Sequence, residues 1–174
     1  MGYTHYFHVN SASQGWEATW PRLIADTQTI IAAAGVPLTG PPDYHDGYAM
    51  ATPPIVPVDE GIDLNGVGKN GHEPLVIGVK EDGSFNFVKT ARKPYDKVVA
   101  CVLLRAAMLA PHAVELRSDG YWDHDWEWRA ARVLYQRLWP HDELHCPWKE
   151  VEEENDDEEN VDAPGGGGTG CAQQ

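Results

Sequence analysis

Cysteine is scarce. The 174-residue chain has three, Cys101, Cys146 and Cys171, an odd set with no CxxC pair, so neither a disulfide framework nor a zinc knuckle is encoded, and reduced thiols in a cytoplasmic setting are expected. Cations are also few. Thirteen Lys and Arg stand against 27 Asp and Glu, a formal charge of −14, which disfavours generic binding to nucleic-acid phosphates or to an anionic membrane face. Long apolar runs are missing: the longest uncharged one, Val98 to Leu104, falls far short of a membrane span. The opening MGYTHYFHVN is aromatic and polar, without the basic and apolar regions of an export signal. Gly2 follows Met1, but Tyr6 stands where a myristoylation motif needs Ser or Thr.

The charge that is present is unevenly placed. Residues 149–174 hold one cation, Lys149, and nine acids, so residues 1–148 carry 12 cations against 18 acids, a mild −6. At 42% hydrophobic content the chain fills one core and not two. A single domain over residues 1–148 is expected, followed by a disordered tail, acidic and then glycine-rich, over 149–174.

Within that body, residues 3–9 alternate, with Tyr3, His5, Phe7 and Val9 on one side, the period of a half-buried strand. Ser11 and Ser13 can cap a helix in which Trp16, Trp20, Leu23, Ile24, Thr27, Ile30, Ile31 and Ala34 recur at helical spacing until Gly35 and Pro37 end it. Six prolines between Val36 and Pro57 predict a long irregular loop. Strands are predicted over Ile62 to Asn65, Pro74 to Val79 and Ser84 to Lys89. In the last two, Leu75, Ile77 and Val79 alternate against Phe85 and Phe87 across a Glu81-Asp82-Gly83 hairpin turn. Pro94 opens a second helix with a broad apolar face from Tyr95 to Ala110. Val114 to Ser118 forms a fifth strand, and Trp126, Ala130, Val133, Leu134 and Leu138 mark a third helix. The order β-α-β-β-β-α-β-α predicts a two-layer α+β domain of about five strands and three amphipathic helices.

At MGYTHYF, NGVGKNGHEPLVI, FNFVKTARKPYDKVV and SDGYWDHDW the chain resembles small uncharacterised proteins of actinobacteria and their phages. The resemblance spans most of residues 1–139. It implies a bacterial or phage cytosolic origin and transfers no activity, ligand or functional residue.

The sharpest chemical feature is Lys89-Thr90-Ala91-Arg92-Lys93-Pro94-Tyr95-Asp96. Three cations and a hydroxyl lie between a strand end and a helix start, where free N–H groups and the helix dipole favour an anion. The alternative is a solvated turn in which Asp96 neutralises Arg92 or Lys93. His5 shares the apolar parity of its strand and needs partners. It is either a satisfied core histidine or part of a polar pocket with Lys89 and Ser118. Asp119, Asp123 and His124 with His5 offer metal-ligand types but no HxH or HExxH spacing, and capping of the third helix also accounts for the aspartates. Cys101 lies on an apolar helix, where a thiolate would be desolvated. Gly66-Val67-Gly68-Lys69-Asn70-Gly71 lacks the spacing of a Walker loop and of a dinucleotide fingerprint, and fits a hairpin loop. Trp122 and Trp128 could offer stacking faces or pack at a rim, whereas Trp126 falls on the helix stripe.

The expected function is that of a non-catalytic cytosolic binding protein, without cofactor, for a phosphate-bearing small molecule such as a nucleotide. Lys89, Thr90, Arg92 and Lys93, with His5, Ser118 and Trp122, would form its site. Two alternatives stand beside it: a metal-dependent phosphoesterase using His5, Asp119, Asp123 and His124, and a phage-type inhibitor that meets a basic host protein through the eight acids between Glu150 and Glu159.

Overall fold

The computed structural model describes residues 2–45, 48–80 and 83–148. Its elements run β1 (Thr4–Val9), α1 (Gln14–Ala34), β2 (Leu38–Thr39), β3 (Asp43–His45), β4 (Tyr48–Met50), β5 (Ile62–Gly66), β6 (Leu75–Ile77), β7 (Phe85–Lys89), α2 (Asp96–Leu109), β8 (Val114–Ser118) and α3 (Arg129–Leu138). Two antiparallel three-stranded sheets, ordered β7-β1-β8 and β2-β5-β6, accompany the three helices and a β3-β4 ribbon. The fold is α+β. No helix among the described residues is long and apolar enough to cross a membrane. The acidic and glycine-rich tail lies outside the described residues, as do Glu81 and Asp82 of the expected hairpin turn.

Helix α2 is the hub. Every residue from Val98 to Ala107 is buried, because its sequence is apolar almost all round, and it packs against α1, α3 and β8. Each enclosed Val or Leu contributes about 1.5–3 kcal/mol. Helix α1 starts where Ser13 accepts a hydrogen bond from the Trp16 N–H (3.1 Å) and stops at Gly35, whose φ of 64° is left-handed. Its stripe of Trp16, Trp20, Leu23, Ile24, Thr27 and Ile30 is buried, and Trp20 Nε1 donates to the Val58 carbonyl at 2.8 Å, fastening the proline-rich segment to the helix.

One polar cluster crosses this apolar layer. Buried Arg105 of α2 donates to Asp26 of α1 (2.7 Å), to Tyr135 of α3 (2.8 Å) and to Asp142 beyond it (2.6 Å), and its guanidinium lies 4.0 Å over the Trp139 ring. A buried cation needs such partners. Their hydrogen bonds and charges outweigh the burial that opposes ionisation and raise the Arg105 pKa.

Four sequence expectations are corrected. The segment 74–79 does not pair with 84–89: β6 pairs with β5 and β7 with β1. The β5-β6 hairpin instead spans the glycine motif, where Asn65 Oδ1 accepts from the Gly66 and His72 N–H groups and a Cβ at Gly66 or Gly71 would fall within 2.2 or 2.3 Å of a backbone oxygen. The inward residue of β7 is Val88, not Phe85 or Phe87, which are 61% and 60% exposed. A strand shifted by one in parity exchanges its faces. The stripe of α3 is likewise Ala131, Leu134 and Tyr135, with Val133 exposed and Trp126 ahead of the helix and 83% exposed. The proline-rich loop, finally, contains the short strands β2, β3 and β4.

Candidate functional site

The residues expected to form a site divide into two groups. Strand β1 places His5 opposite Ser118 of β8. Two successive left-handed residues, Ala91 (φ 51°) and Arg92 (φ 54°), turn the chain sharply after β7, and the Thr90 and Ala91 N–H groups donate to the Tyr3 carbonyl. This turn tucks the Thr90 hydroxyl beneath the start of α2, where it donates to Asp96 Oδ1 at 2.5 Å. Because a carboxylate only accepts, His5 Nε2 carries the proton it shares with Asp96 Oδ1 (2.8 Å), and Nδ1 faces Ser118 Oγ at 3.1 Å. The Gly120 N–H also donates to Ser118 Oγ (3.0 Å).

The result is a chain, Ser118-His5-Asp96-Thr90, with a hydrolase-like order of groups. Its setting is that of a structural tie: His5 is fully buried, and the rings of Tyr3 (5.1 Å) and Trp128 (5.0 Å) stand edge-on against it. Among the described residues Trp128 Nε1 is buried here without a hydrogen-bond partner. Burial first, and then the Asp96 charge, push the Tyr3 pKa well above its ordinary value. Asp96 therefore takes its partners from His5 and Thr90, not from Arg92 or Lys93.

The basic cluster is dispersed in consequence. Thr90 is fully buried. Arg92 donates to Glu127 at 2.5 Å and lies 4.3 Å over the Tyr3 ring, while Glu127 also accepts from the Tyr121 N–H. Lys89 sits opposite Thr4 on the outer face of the sheet, away from His5 and Ser118. Among the described residues no ion pair engages Lys89 or Lys93. Trp122 is buried against Trp128 and Trp148 with Arg132 over its ring (4.7 Å), so its faces are taken up by packing.

The alternative metal set is not assembled. Asp123 pairs with Arg132 (2.9 Å), exposed His124 accepts from the Trp126 N–H, the Asp119 backbone N–H joins the Thr4 carbonyl, and His5 is committed to Asp96. No group of three or more His, Cys, Asp or Glu among the described residues could hold a metal ion. Cys101 is buried, and burial pushes its thiol up to about 12.

Two surfaces went unrecognised in the sequence. An open groove of about 370 Å³ runs between the end of α1 and α3, with Ala34, Ala130, Val133 and Leu134 as its apolar wall and Lys97, Arg129, Arg137 and Asp125 as its charged one. Lys97 Nζ donates to the Ala34 carbonyl and Arg137 to the Ala33 carbonyl, both at 2.6 Å, so these cations of α2 and α3 close the otherwise uncapped carbonyls of α1. Arg129 pairs with Asp125. The second surface is the outer face of β7-β1-β8, where Tyr6 and Phe85 stack. A clue to it lay in Lys89, whose shared parity with Phe85 and Phe87 is awkward for a core face. Comparison of the chain with protein-family models, curated proteins and solved structures finds no match.

Proposed function

We propose that the protein is a non-catalytic, cytoplasmic binding protein for a phosphate-bearing small molecule of nucleotide type, held in the groove between α1 and α3. The observation that carries this reading is the meeting of Lys97, Arg129 and Arg137 around an apolar wall in a chain of net acidic charge. The groove is of small-ligand size. Each cation keeps donors beyond the one engaged, since an ammonium has three and a guanidinium five, and such donors form charge-assisted bonds to phosphate. The apolar wall suits the remainder of an amphipathic ligand. The turn at Lys89 to Asp96 supports the reading less, because its hydroxyl and its arginine are already engaged.

The test is a thermal-shift series with nucleotides and inorganic phosphate, since a ligand that binds only the native state raises the melting temperature. A nucleotide should stabilise the wild type, and Arg129→Gln combined with Arg137→Gln should weaken it at least about tenfold, with the deficit shrinking as salt rises. Lys93→Gln should leave binding unchanged. Loss of binding in Lys93→Gln alone would return the site to the β7-α2 turn, and no stabilisation by any nucleotide would reject the function.

A further inference from the structure

The outer face of the β7-β1-β8 sheet is aromatic where solvent-facing strands are usually polar. The register places Tyr6 between Phe87 and Arg117, His8 between Phe85 and Glu115, and Lys89 opposite Thr4. Phe85 and Phe87 are 61% and 60% exposed, and the Tyr6 and Phe85 rings stack 5.8 Å apart with 18° between their planes. β7 is an edge strand. At one end, Glu73 accepts from the Lys89 backbone N–H.

Flat aromatic rings bracketed by cations recognise another flat ring attached to an anion. Phe85 and Phe87 are two residues apart on one strand, about 6.8 Å at the rise of an antiparallel strand, twice the roughly 3.4 Å between stacked neighbours along one strand of a duplex. Bases seated on both rings must be unstacked from each other, which a single strand permits and a duplex does not. Lys89 and Arg117 lie on the same face beside Phe87 and Tyr6, with Glu115 at the far end. Lys89 and Arg117 stand against Glu115 on the face and Glu73 at its edge, a balance less acidic than the −14 of the chain. The charge of the whole chain disfavours duplex tracking through phosphates and weighs less against a contact driven by stacking.

We infer that this sheet face binds single-stranded nucleic acid, with bases stacked on Phe85 and Phe87, Tyr6 backing the Phe85 ring, and two backbone phosphates taken by Lys89 and Arg117. The inference is independent of the groove between α1 and α3. Two phosphate contacts give a shallow salt dependence, a log-log slope of about −1.4.

The experiment is fluorescence anisotropy of the full chain with labelled mixed-sequence DNA and RNA oligonucleotides of about ten residues, a length within the range one stacking domain engages. Single strands should bind saturably and at least about tenfold more tightly than the matching duplex. Phe85→Ala with Phe87→Ala should weaken binding at least about 25-fold, fivefold for each lost stack, without lowering the melting temperature, since both rings are exposed. Lys89→Gln with Arg117→Gln should remove most of the salt slope. Absence of single-strand binding, equal binding of duplex, or binding indifferent to the two Phe→Ala changes would overturn the inference. So would self-association in sedimentation that the same two changes abolish while no oligonucleotide binds, which would assign the face to a second copy of the chain.

Discussion

At the scale of single residues, the structure turns on polar groups placed where apolar ones would be expected. Arg105 occupies the buried helix and ties three helices through Asp26, Tyr135 and Asp142. Arg105→Ala removes the buried partner of Asp26 and leaves it the exposed Arg22 of its own helix, and should cost about 3 kcal/mol, the low end of the range for breaking a buried pair; urea denaturation measures it. Arg105→Met, which fills the volume but leaves the same carboxylate, should recover only part of the loss. Three tyrosines carry the alkaline limit. Burial is the first cause that raises Tyr3, Tyr95 and Tyr135, the last to about 12. A phenol whose folded pKa is raised gives stability that is whole below its ordinary value near 10 and is lost as pH rises through the folded value. Phenolate absorbance should therefore show exposed tyrosines ionising near pH 10 and these three only with unfolding above it; ionisation of all tyrosines in one step with native circular dichroism would contradict their burial.

At the scale of elements, what was legible followed clean periodicity. Along β1 the alternating Tyr3, His5, Phe7 and Val9 are all buried, with Thr4 alone of the other parity buried beside them; α1 carries its cap, its stripe and its terminating glycine in plain view. In β7, FNFVK offers two parities, and the larger rings favour one while Val88, between Asn86 and Thr90, takes the inner face. The pairing of β7 with β1 is a long-range choice that local pattern does not encode. The stripe of α3 is legible in Leu134 and Leu138 but not in Trp126, which lies ahead of the helix, or in Val133, which is exposed. Of the candidate site, Ser118 and His5 could be placed together from parity, whereas Thr90 and Asp96 depend on two left-handed residues at Ala91 and Arg92, a conformation that non-glycine sequence does not announce. The parity of β7 has a direct check. Val88→Ala should cost about 1.5–3 kcal/mol and Phe87→Ala no more than about 0.5 in chemical denaturation. The reverse ranking would put the Phe face inward.

At the scale of the whole molecule, acidity and cation placement are the informative pair. Several cations of the described body are engaged by side chains or carbonyls of the protein itself: Arg92 by Glu127, Arg105 by Asp26, Arg132 by Asp123 and the Trp122 carbonyl. Lys97, Arg129 and Arg137 meet at the α1-α3 groove with donors beyond those already engaged, and a net-negative chain that gathers cations at an open apolar wall has the ingredients of a site for a small anionic ligand. Binding of a nucleotide there is the central claim, and the most direct measurement is an NMR titration of the full chain with adenosine triphosphate, following backbone amides and the arginine Nε–H groups. Saturable shifts centred on Lys97, Arg129, Ala130, Val133 and Arg137, absent when Arg129 and Arg137 are both glutamine, are the result predicted. Shifts centred elsewhere, or none at millimolar nucleotide, would contradict it.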